Sequence, residues 1–477
     1  MSERTQNKSI IGVIWALTNK YGVVLLQFVV NLILARLLSP AEFGVVGMIL
    51  IFIVISQTLV DSGFDAALIQ KLNPTKKDYS TVFYWNIGVS VILYGVIYIS
   101  SPAIGAFFRM PEIGNLLRVL GCVVVLDSLA SVHRALLRKN LEIKKVAIVG
   151  LISYALSSVI AVILAEQGAG PWSLVWMRLA NGFTCAVLFS IVSHWRPSFT
   201  FSFSSLKELF SYGGFIFISN LMQGICAQIQ GVLIGRYFTP AQTGMYTQAK
   251  KMDDIASWTA PSAIMQVVFP LYSERQNNLE SLCALLRRSL RMISYLMYPL
   301  LGILIVISKP LIVFLFGSAW EDAAECFQIL CVGGLFSSVH IFNYHAIAAL
   351  GKSRLLFRVA VYQWCVLLAL LFLGVRFGLN AVLWAMVISN INIYLVNGYL
   401  VQRYIGYHLT QQVRDIAPNL LCAGVSILAV WGLKYFAGWH WIGVATVFGI
   451  LYLALSFMFH LRAFTELSSS FRLILTK

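Results

Sequence analysis

The chain has 477 residues, of which 59% are hydrophobic and 11% are charged, and its formal net charge is +16. An ordinary soluble domain carries about 25% charged residues, so this chain lacks the polar surface that a soluble body of its size needs. The composition excludes a soluble enzyme, a disordered protein and a nucleic-acid-binding protein, and the mean hydropathy of +0.80 predicts a membrane protein.

Apolar stretches of about 20 residues, the length that spans a bilayer as a helix, follow one another along most of the chain. We therefore predict an all-α polytopic membrane protein with about 14 transmembrane helices. In chain order the predicted spans are 10–36, 42–62, 80–99, 113–132, 146–165, 171–192, 209–236, 242–270, 289–308, 325–349, 356–375, 379–401, 416–436 and 440–459. Twelve spans is the main alternative, because only a tight Gly-Trp-His turn separates the last two.

The distribution of basic residues predicts the orientation of these spans. With a cytoplasmic N-terminus, 24 of the 35 Lys and Arg residues fall on cytoplasmic loops, six on outer loops and five within spans. Cytoplasmic loops of membrane proteins carry such an excess. We expect a multi-pass protein with both termini in the cytoplasm, and we assign the +16 charge to the membrane surface.

An internal repeat divides the chain. Residues 33–44 (ILARLLSPAEFG) align with residues 233–244 (LIGRYFTPAQTG) at an offset of 200 residues. Six spans separate the copies, so both halves enter the membrane in the same direction, as in transporters built from parallel repeats. The repeat predicts an N-terminal six-helix lobe at 1–200, a C-terminal six-helix lobe at 201–405, and two extra helices with a cytoplasmic tail at 406–477.

Five short segments form a pattern along the chain: residues 35–44 (ARLLSPAEFG), 61–70 (DSGFDAALIQ), 134–142 (RALLRKNLE), 244–250 (GMYTQAK) and 269–273 (FPLYS). In their order and spacing they resemble the polysaccharide, or lipid-linked oligosaccharide, flippases of the multidrug/oligosaccharidyl-lipid/polysaccharide exporter superfamily, in particular its colanic-acid and lipopolysaccharide exporter branch. The chain departs from the family pattern after Ala249, where two lysines and then two aspartates follow in place of a single charged residue.

The resemblance implies two six-helix lobes around a central cavity that opens alternately to the two faces of a bacterial inner membrane. It implies transport of an undecaprenyl-pyrophosphate-linked oligosaccharide, the repeat unit of an O-antigen, capsule or exopolysaccharide, from the inner to the outer leaflet. We expect no enzymatic activity and no cofactor; H⁺ or Na⁺ is the candidate coupling ion. The candidate partners are the lipid-linked oligosaccharide, membrane lipids, a polysaccharide polymerase and assembly proteins.

Polar side chains within spans are the candidate substrate-binding groups, since buried charges in membranes face a cavity or a partner. On span 1, Lys20, Gln27 and Asn31 share one helical stripe. On the repeat-related span 7, Asn220 takes the place of Lys20, with Gln223 nearby. A wet cavity and a hydrogen-bonded helix seam both fit these stripes; in a cavity, Lys20 would meet pyrophosphate.

Span 8 carries the densest charge cluster, formed by Lys250, Lys251, Asp253 and Asp254. Spacings of three and four allow Lys–Asp pairs on one helix face. One hypothesis is a self-neutralising network that only tolerates burial. The other is a switchable network, in which an anionic headgroup competes for the lysines while an aspartate takes a proton or Na⁺.

Other charged residues have two interpretations each. Arg178 is a cavity cation or a side chain that reaches the outer interface. Asp61 is an ion-coupling candidate, although a capping or interfacial role is favoured for it and for Asp65, and Asp127 is an ion-coupling candidate or a structural partner of a neighbouring helix. We predict no catalytic residue and no metal site.

The sequence also leaves four alternative functions open. A drug/cation antiporter, which would need a net acidic cavity, and a peptidoglycan-precursor flippase are the alternatives among transporters. A membrane-embedded glycan polymerase would need a larger outer loop with clustered Arg or Asp residues. A non-transporting assembly scaffold is the remaining alternative.

Overall fold

The computed structural model describes residues 22–437, 441–461 and 463–466, without the side chains of 212, 215, 216, 219, 220, 223, 226, 227 and 433–437. Over these residues the chain consists of helices and short connections, with no β-strand. The predicted all-α fold class is confirmed.

The chain separates into two compact units, Met1–Gly244 and Met245–Lys477. The helices that lie within unit 1 are α1 Gly22–Leu37, α2 Pro40–Asp61, α3 Phe64–Gln70, α4 Lys76–Phe107, α5 Glu112–Leu120, α6 Cys122–Lys139, α7 Ile143–Glu166, α8 Pro171–Val192 and α9 Phe203–Tyr237.

The next helix, α10, spans Pro240–Asp253 and crosses the boundary between the units. The helices that follow in unit 2 are α11 Thr259–Glu274, α12 Leu279–Phe316, α13 Ala323–Ala349, α14 Ser353–Gly374, α15 Leu379–Ile405, α16 Leu409–Ala437 and α17 Trp441–Met458. A π-helical turn, Asp254–Trp258, joins α10 to α11.

These helices follow the fourteen predicted spans. Eleven helical segments of the described residues are long and apolar enough to cross a membrane. The shorter α1, the polar-rich α9 and the pair α10–α11 occupy the remaining three predicted positions. Two predicted spans contain an interruption that hydropathy does not reveal: span 113–132 is divided between α5 and α6 at Gly121, and span 242–270 is divided between α10 and α11 by the π turn. The turn between α2 and α3 lies at the end of the predicted span 42–62.

The two copies of the repeat form the same local structure. Ser39 and Glu42 form a reciprocal capping box at the start of α2, in which the Glu42 N–H donates to Ser39 Oγ at 3.4 Å. Thr239 and Gln242 do the same at the start of α10, with the Gln242 N–H donating to Thr239 Oγ1 at 3.2 Å. Each box satisfies backbone donors that a helix start leaves without partners, which explains why this pattern recurs in both halves.

Glycines allow the repeat-related elements of unit 1 to touch through their backbones. A Cβ on Gly44 would overlap the carbonyl of Pro240, and a Cβ on Gly244 would overlap the carbonyl of Pro40. Near the other end of α2, Gly63 and Gly213 approach each other in the same reciprocal way. These approaches need residues without a side chain. The approach of Gly63 to Gly213 belongs to the packing of α9 along α2, and the approach of Gly44 to Gly244 brings the start of α10 against α2.

Because α9 packs along α2, it belongs to the compact unit 1. The sequence repeat instead predicts that α9 begins the second lobe. The predicted lobe boundaries at residues 200 and 405 follow sequence symmetry rather than packing, and they stay predictions.

Candidate functional site: an acidic cavity and a lysine–aspartate cluster

A sharp turn places two aspartates at one end of α2. Ser62 and Gly63 have φ angles of 47° and 76°, both left-handed, and this turn breaks the helix between Asp61 and Phe64. The Asp65 N–H donates to Asp61 Oδ1 at 3.2 Å across the turn. Asp61 therefore accepts a hydrogen bond from the first turn of α3, and the turn keeps both carboxylates on the lining of one cavity in unit 1.

Polar contacts with α4 fix the rotation of α6. Asn86 Nδ2 donates to Ser131 Oγ at 3.1 Å, and the hydroxyls of Ser90 and Ser128 are 3.0 Å apart. Such hydrogen bonds between helices orient them inside an apolar environment. With α6 held in this rotation, residues 127, 131 and 134, spaced by four and three, lie on one face.

The faces of α2, α3, α6 and α9 enclose a cavity of about 630 Å³ within unit 1, which we call the acidic cavity. Three carboxylates and one guanidinium line it, so its charged side chains sum to −2 when all are ionised. The lining residues are Val54, Gln57, Thr58, Val60, Asp61, Asp65, Val124, Asp127, Ser128, Ser131, Arg134, Gly224 and Gln228.

The charged groups of the acidic cavity differ in how well they are partnered. Gln57 Nε2 donates to Asp127 Oδ2. In contrast, Asp65 Oδ1 and Arg134 Nε are buried and have no hydrogen-bond partner among the described residues. A buried polar atom without a partner costs about 1–3 kcal/mol, so the cavity retains capacity to bind water, a proton or a small cation.

A cluster of oppositely charged side chains lies beside α3 in unit 1. Lys71, in the loop after α3, lies 3.1 Å from Asp78 and 3.0 Å from Glu208. Burial lowers the pKa of Lys71, but the hydrogen bonds to Glu208 and Asp78 outweigh it and raise the pKa above its usual value. Lys139 Nζ also donates to the Ile69 carbonyl at 2.6 Å, so lysines tie α3, α4, α6 and α9 together beside the cavity.

Unit 2 contains the second candidate site, the Lys250 cluster, at the junction of α10 and the π turn. Lys250 Nζ lies 3.0 Å from Asp253 Oδ2 and 2.6 Å from Asp254 Oδ1. The Asp253 side chain is 8% exposed and that of Asp254 is 57% exposed, and Ser257 Oγ donates to Asp253 Oδ1 at 2.6 Å. The predicted pairing of Lys250 with Asp254 is present, and Asp253 joins it. π turns inside α-helices occur frequently at functional sites.

The other predicted site residues occupy varied positions. Gln27 is exposed and Asn31 half-buried on α1, and Arg178 and Lys251 are exposed on α8 and α10. Lys20 lies outside the described residues, as do the side chains of Asn220 and Gln223, whose backbones belong to α9. Of the predicted ion-coupling residues, Asp61 and Asp127 share the acidic cavity, while Asp253 and Asp254 belong to the Lys250 cluster.

Seven polar side chains of the acidic cavity were not among the predicted site residues: Gln57, Thr58, Asp65, Ser128, Ser131, Arg134 and Gln228. The sequence placed Arg134 in a cytoplasmic loop after a span ending at 132, but α6 continues to Lys139. The buried Val132, Ala135 and Leu137 continue the apolar pattern there, and the spacing of Arg134 from Asp127 could have placed both on one helix face.

Comparisons with known proteins agree with this picture. The chain is 27% identical over 427 residues to the teichuronic acid biosynthesis protein TuaB of Bacillus subtilis. This alignment covers 88% of this chain and 87% of TuaB. It is 28% identical over 320 residues to the succinoglycan biosynthesis transport protein ExoT of Rhizobium meliloti. That alignment covers 67% of this chain and 64% of ExoT.

A solved structure of the lipid II flippase MurJ in an inward closed conformation shares the fold. It superimposes with a TM-score of 0.75 at 14% sequence identity, over 94% of this chain and 99% of that one. The predicted transporter fold is confirmed, and the relatives above include a transport protein and no named enzyme. A model of the family described as "Polysaccharide biosynthesis protein" matches residues 33–325, more than half of the chain, and the chain belongs to this family.

Proposed function

We propose that this protein is a bacterial inner-membrane flippase that moves an undecaprenyl-pyrophosphate-linked oligosaccharide from the inner to the outer leaflet by alternating access. One observation carries the proposal: the family match at 33–325 contains every residue that lines the acidic cavity and the whole Lys250 cluster. Both candidate sites therefore lie in the part of the chain that the family model matches.

The two charged sites suit two different tasks in this proposal. The acidic cavity, with three carboxylates and an unpartnered oxygen of Asp65, suits a coupling cation, H⁺ or Na⁺. The Lys250 cluster suits the pyrophosphate, because an anion can compete with Asp254 for an ammonium that acts as a point charge. Loss of one carboxylate contact from Lys250 would then accompany binding of the headgroup.

Reconstitution tests the proposal directly. Vesicles containing the protein and a fluorescent undecaprenyl-pyrophosphate oligosaccharide are assayed for the fraction of label that becomes accessible from the far leaflet. We expect faster crossing with protein than in protein-free vesicles, and slower crossing for Asp127→Asn. Glu142→Gln is the matched control, because Glu142 pairs with Lys145 at the surface at 2.8 Å, outside the cavity. Equal crossing with and without protein would refute the proposal.

A second candidate, a small-molecule drug/cation antiporter, is favoured by the −2 charge of the acidic cavity. A cationic substrate would gain from three carboxylates in an apolar surrounding, where charge interactions are strong. The same vesicles loaded with a cationic dye separate the candidates, since dye export without movement of the lipid-linked oligosaccharide would support the antiporter. Labelled peptidoglycan precursor in parallel vesicles tests the remaining flippase alternative.

We propose that membrane lipids surround the protein, that both termini are cytoplasmic, and that a polysaccharide polymerase and assembly proteins are its functional partners. Cysteine-accessibility labelling at Lys145, on a loop predicted to be cytoplasmic, tests the orientation. Labelling of Lys145→Cys by an impermeant reagent from the periplasm would contradict it.

A further inference from the structure

Unit 2 contains a second cavity, of about 490 Å³, that belongs to neither of the sites above. Helices α12 and α16 and the segment after α17 enclose it. The cavity therefore lies where the two extra C-terminal helices, α16 and α17, meet α12. We call it the arginine pocket, and its lining residues are Arg287, Arg291, Arg414, Asp415, Pro418, Asn419, Phe459, His460, Leu461 and Ala463.

Asp415 organises the guanidinium groups of this pocket. Arg287 Nε pairs with Asp415 Oδ2, and Arg291 Nε lies 3.4 Å from Asp415 Oδ1. The Tyr407 hydroxyl donates to the same carboxylate at 2.8 Å. Asn419 Nδ2 donates to the Arg291 carbonyl at 3.0 Å, which fixes α16 against α12 at this level.

The organised arginines retain a positive excess. The pocket is lined by three arginines and one carboxylate. At its edge, Arg288 and Glu466 add one charge of each sign, 2.8 Å apart, so the excess stays at two positive charges. Arg291 has ion-pair contacts with Asp415 and, at 3.9 Å, with Glu466, but its buried Nε donates no hydrogen bond among the described residues. The exposed Arg414 has no ion pair there. A guanidinium group can donate two parallel hydrogen bonds to two oxygens of one phosphate group.

Apolar side chains flank the arginines. Phe457, Met458 and Phe459, at the end of α17, are 66%, 62% and 61% exposed. The chain then reverses at His460, whose φ is 45°, and the Leu461 N–H donates to the Ser456 carbonyl at 3.1 Å. A site for a soluble phosphate would gain nothing from exposed aromatic neighbours, whereas a site for a lipid would use them to hold acyl chains.

We propose that the arginine pocket binds the phosphate of an anionic membrane phospholipid, whose acyl chains lie along Phe457–Phe459. Basic pockets between transmembrane helices on the cytoplasmic side bind anionic lipid headgroups, and the loops that carry Arg287, Arg414 and His460 are predicted to be cytoplasmic. The bound lipid would fasten α16 and α17 to α12. This site is distinct from the transport sites and does not depend on which substrate the protein moves.

The test measures lipid binding, not transport. The purified protein is titrated with phosphatidylglycerol, phosphatidylcholine or inorganic phosphate, and bound lipid is counted by native mass spectrometry. We expect retention of phosphatidylglycerol over phosphatidylcholine, and an affinity about fivefold weaker in Arg414→Gln, in line with the usual contribution of one basic residue near an anionic lipid surface. Arg291→Lys, which keeps the charge, should retain more lipid than Arg291→Gln.

The matched control is Arg354→Gln, which removes an exposed positive charge from α14, on the same predicted face but outside the pocket. Equal loss of phosphatidylglycerol from the Arg354→Gln and Arg414→Gln variants would overturn the proposal, because the effect would then reflect overall charge. Displacement of bound phosphatidylglycerol by inorganic phosphate at the same concentration would also overturn it in favour of a soluble phosphate. These outcomes leave the flippase assay unaffected, so failure of one proposal is distinguishable from failure of the other.

Discussion

The acidic cavity of unit 1 and the Lys250 cluster of unit 2 both bury carboxylates, but they balance charge differently. In the cluster, Lys250 lies within 3.0 Å of both aspartates, and Ser257 donates to the more buried one. In the cavity, three aspartates share a space of about 630 Å³ with one arginine, and Asp65 Oδ1 has no partner among the described residues. Both aspartates of the cluster therefore contact a lysine, whereas the cavity holds a carboxylate oxygen that no side chain of the described residues partners.

This contrast predicts opposite responses to charge removal, and the largest effect is expected in the cluster. Lys250→Met would leave Asp253, 8% exposed, without its cation. Removing one partner of a buried ion pair costs about 3–5 kcal/mol of stability. Because Lys250 is 36% exposed, we expect the free energy of unfolding to fall by no more than about 3 kcal/mol. The free energy of unfolding in detergent micelles measures it.

Two further variants decide whether pairing is the cause. Lys250→Met combined with Asp253→Asn should recover most of the stability, since no unpaired buried charge remains. Lys145→Met breaks a solvent-exposed lysine–glutamate pair of the same i,i+3 spacing and should change stability by less than about 1 kcal/mol. If the double variant is as unstable as Lys250→Met alone, packing rather than charge holds the cluster.

The cavity should respond with the opposite sign. Asp65→Asn removes one of three neighbouring carboxylates, so repulsion falls, and we expect an unchanged or higher unfolding temperature. Transport should nevertheless fall by about tenfold, equivalent to about 1.4 kcal/mol, because a group that binds the coupling cation is lost. The vesicle assay measures the rate, with Glu142→Gln as the control for loss of one acidic side chain. A destabilised variant with full transport would assign Asp65 a structural role.

The identity of the coupling ion gives a smaller effect that separates the two regions. If Na⁺ binds in the acidic cavity, Na⁺ at about three times its Kd should stabilise the folded protein by about 0.8 kcal/mol. Asp127→Asn should abolish this gain, and Asp253→Asn should preserve it. If H⁺ is the ion, Na⁺ and K⁺ salts should give equal stability. Loss of Na⁺ stabilisation in Asp253→Asn alone would move the ion site to the Lys250 cluster.

The sequence was sufficient to predict the helices, because bilayer thickness sets a length that hydropathy reads directly. It also predicted the Lys250–Asp254 pair, since i,i+4 contacts depend only on helix geometry. It did not predict the acidic cavity. That site depends on the left-handed turn at Ser62–Gly63 and on the rotation of α6 set by Asn86 and Ser90, and both are decided by contacts between distant segments.

The smallest expected change in stability distinguishes the two aspartates of the Lys250 cluster. Asp254 is 57% exposed, so Asp254→Asn should alter the unfolding free energy by less than about 1 kcal/mol, as for a surface ion pair. If an anionic headgroup competes with Asp254 for Lys250, the same variant should still slow transport. Lys250 then keeps only its contact with Asp253, with or without substrate, so the competition is lost. Membrane insertion should be unchanged. Full export in both Asp253→Asn and Asp254→Asn would show that the cluster only neutralises itself, and the headgroup would then have to meet its cation elsewhere.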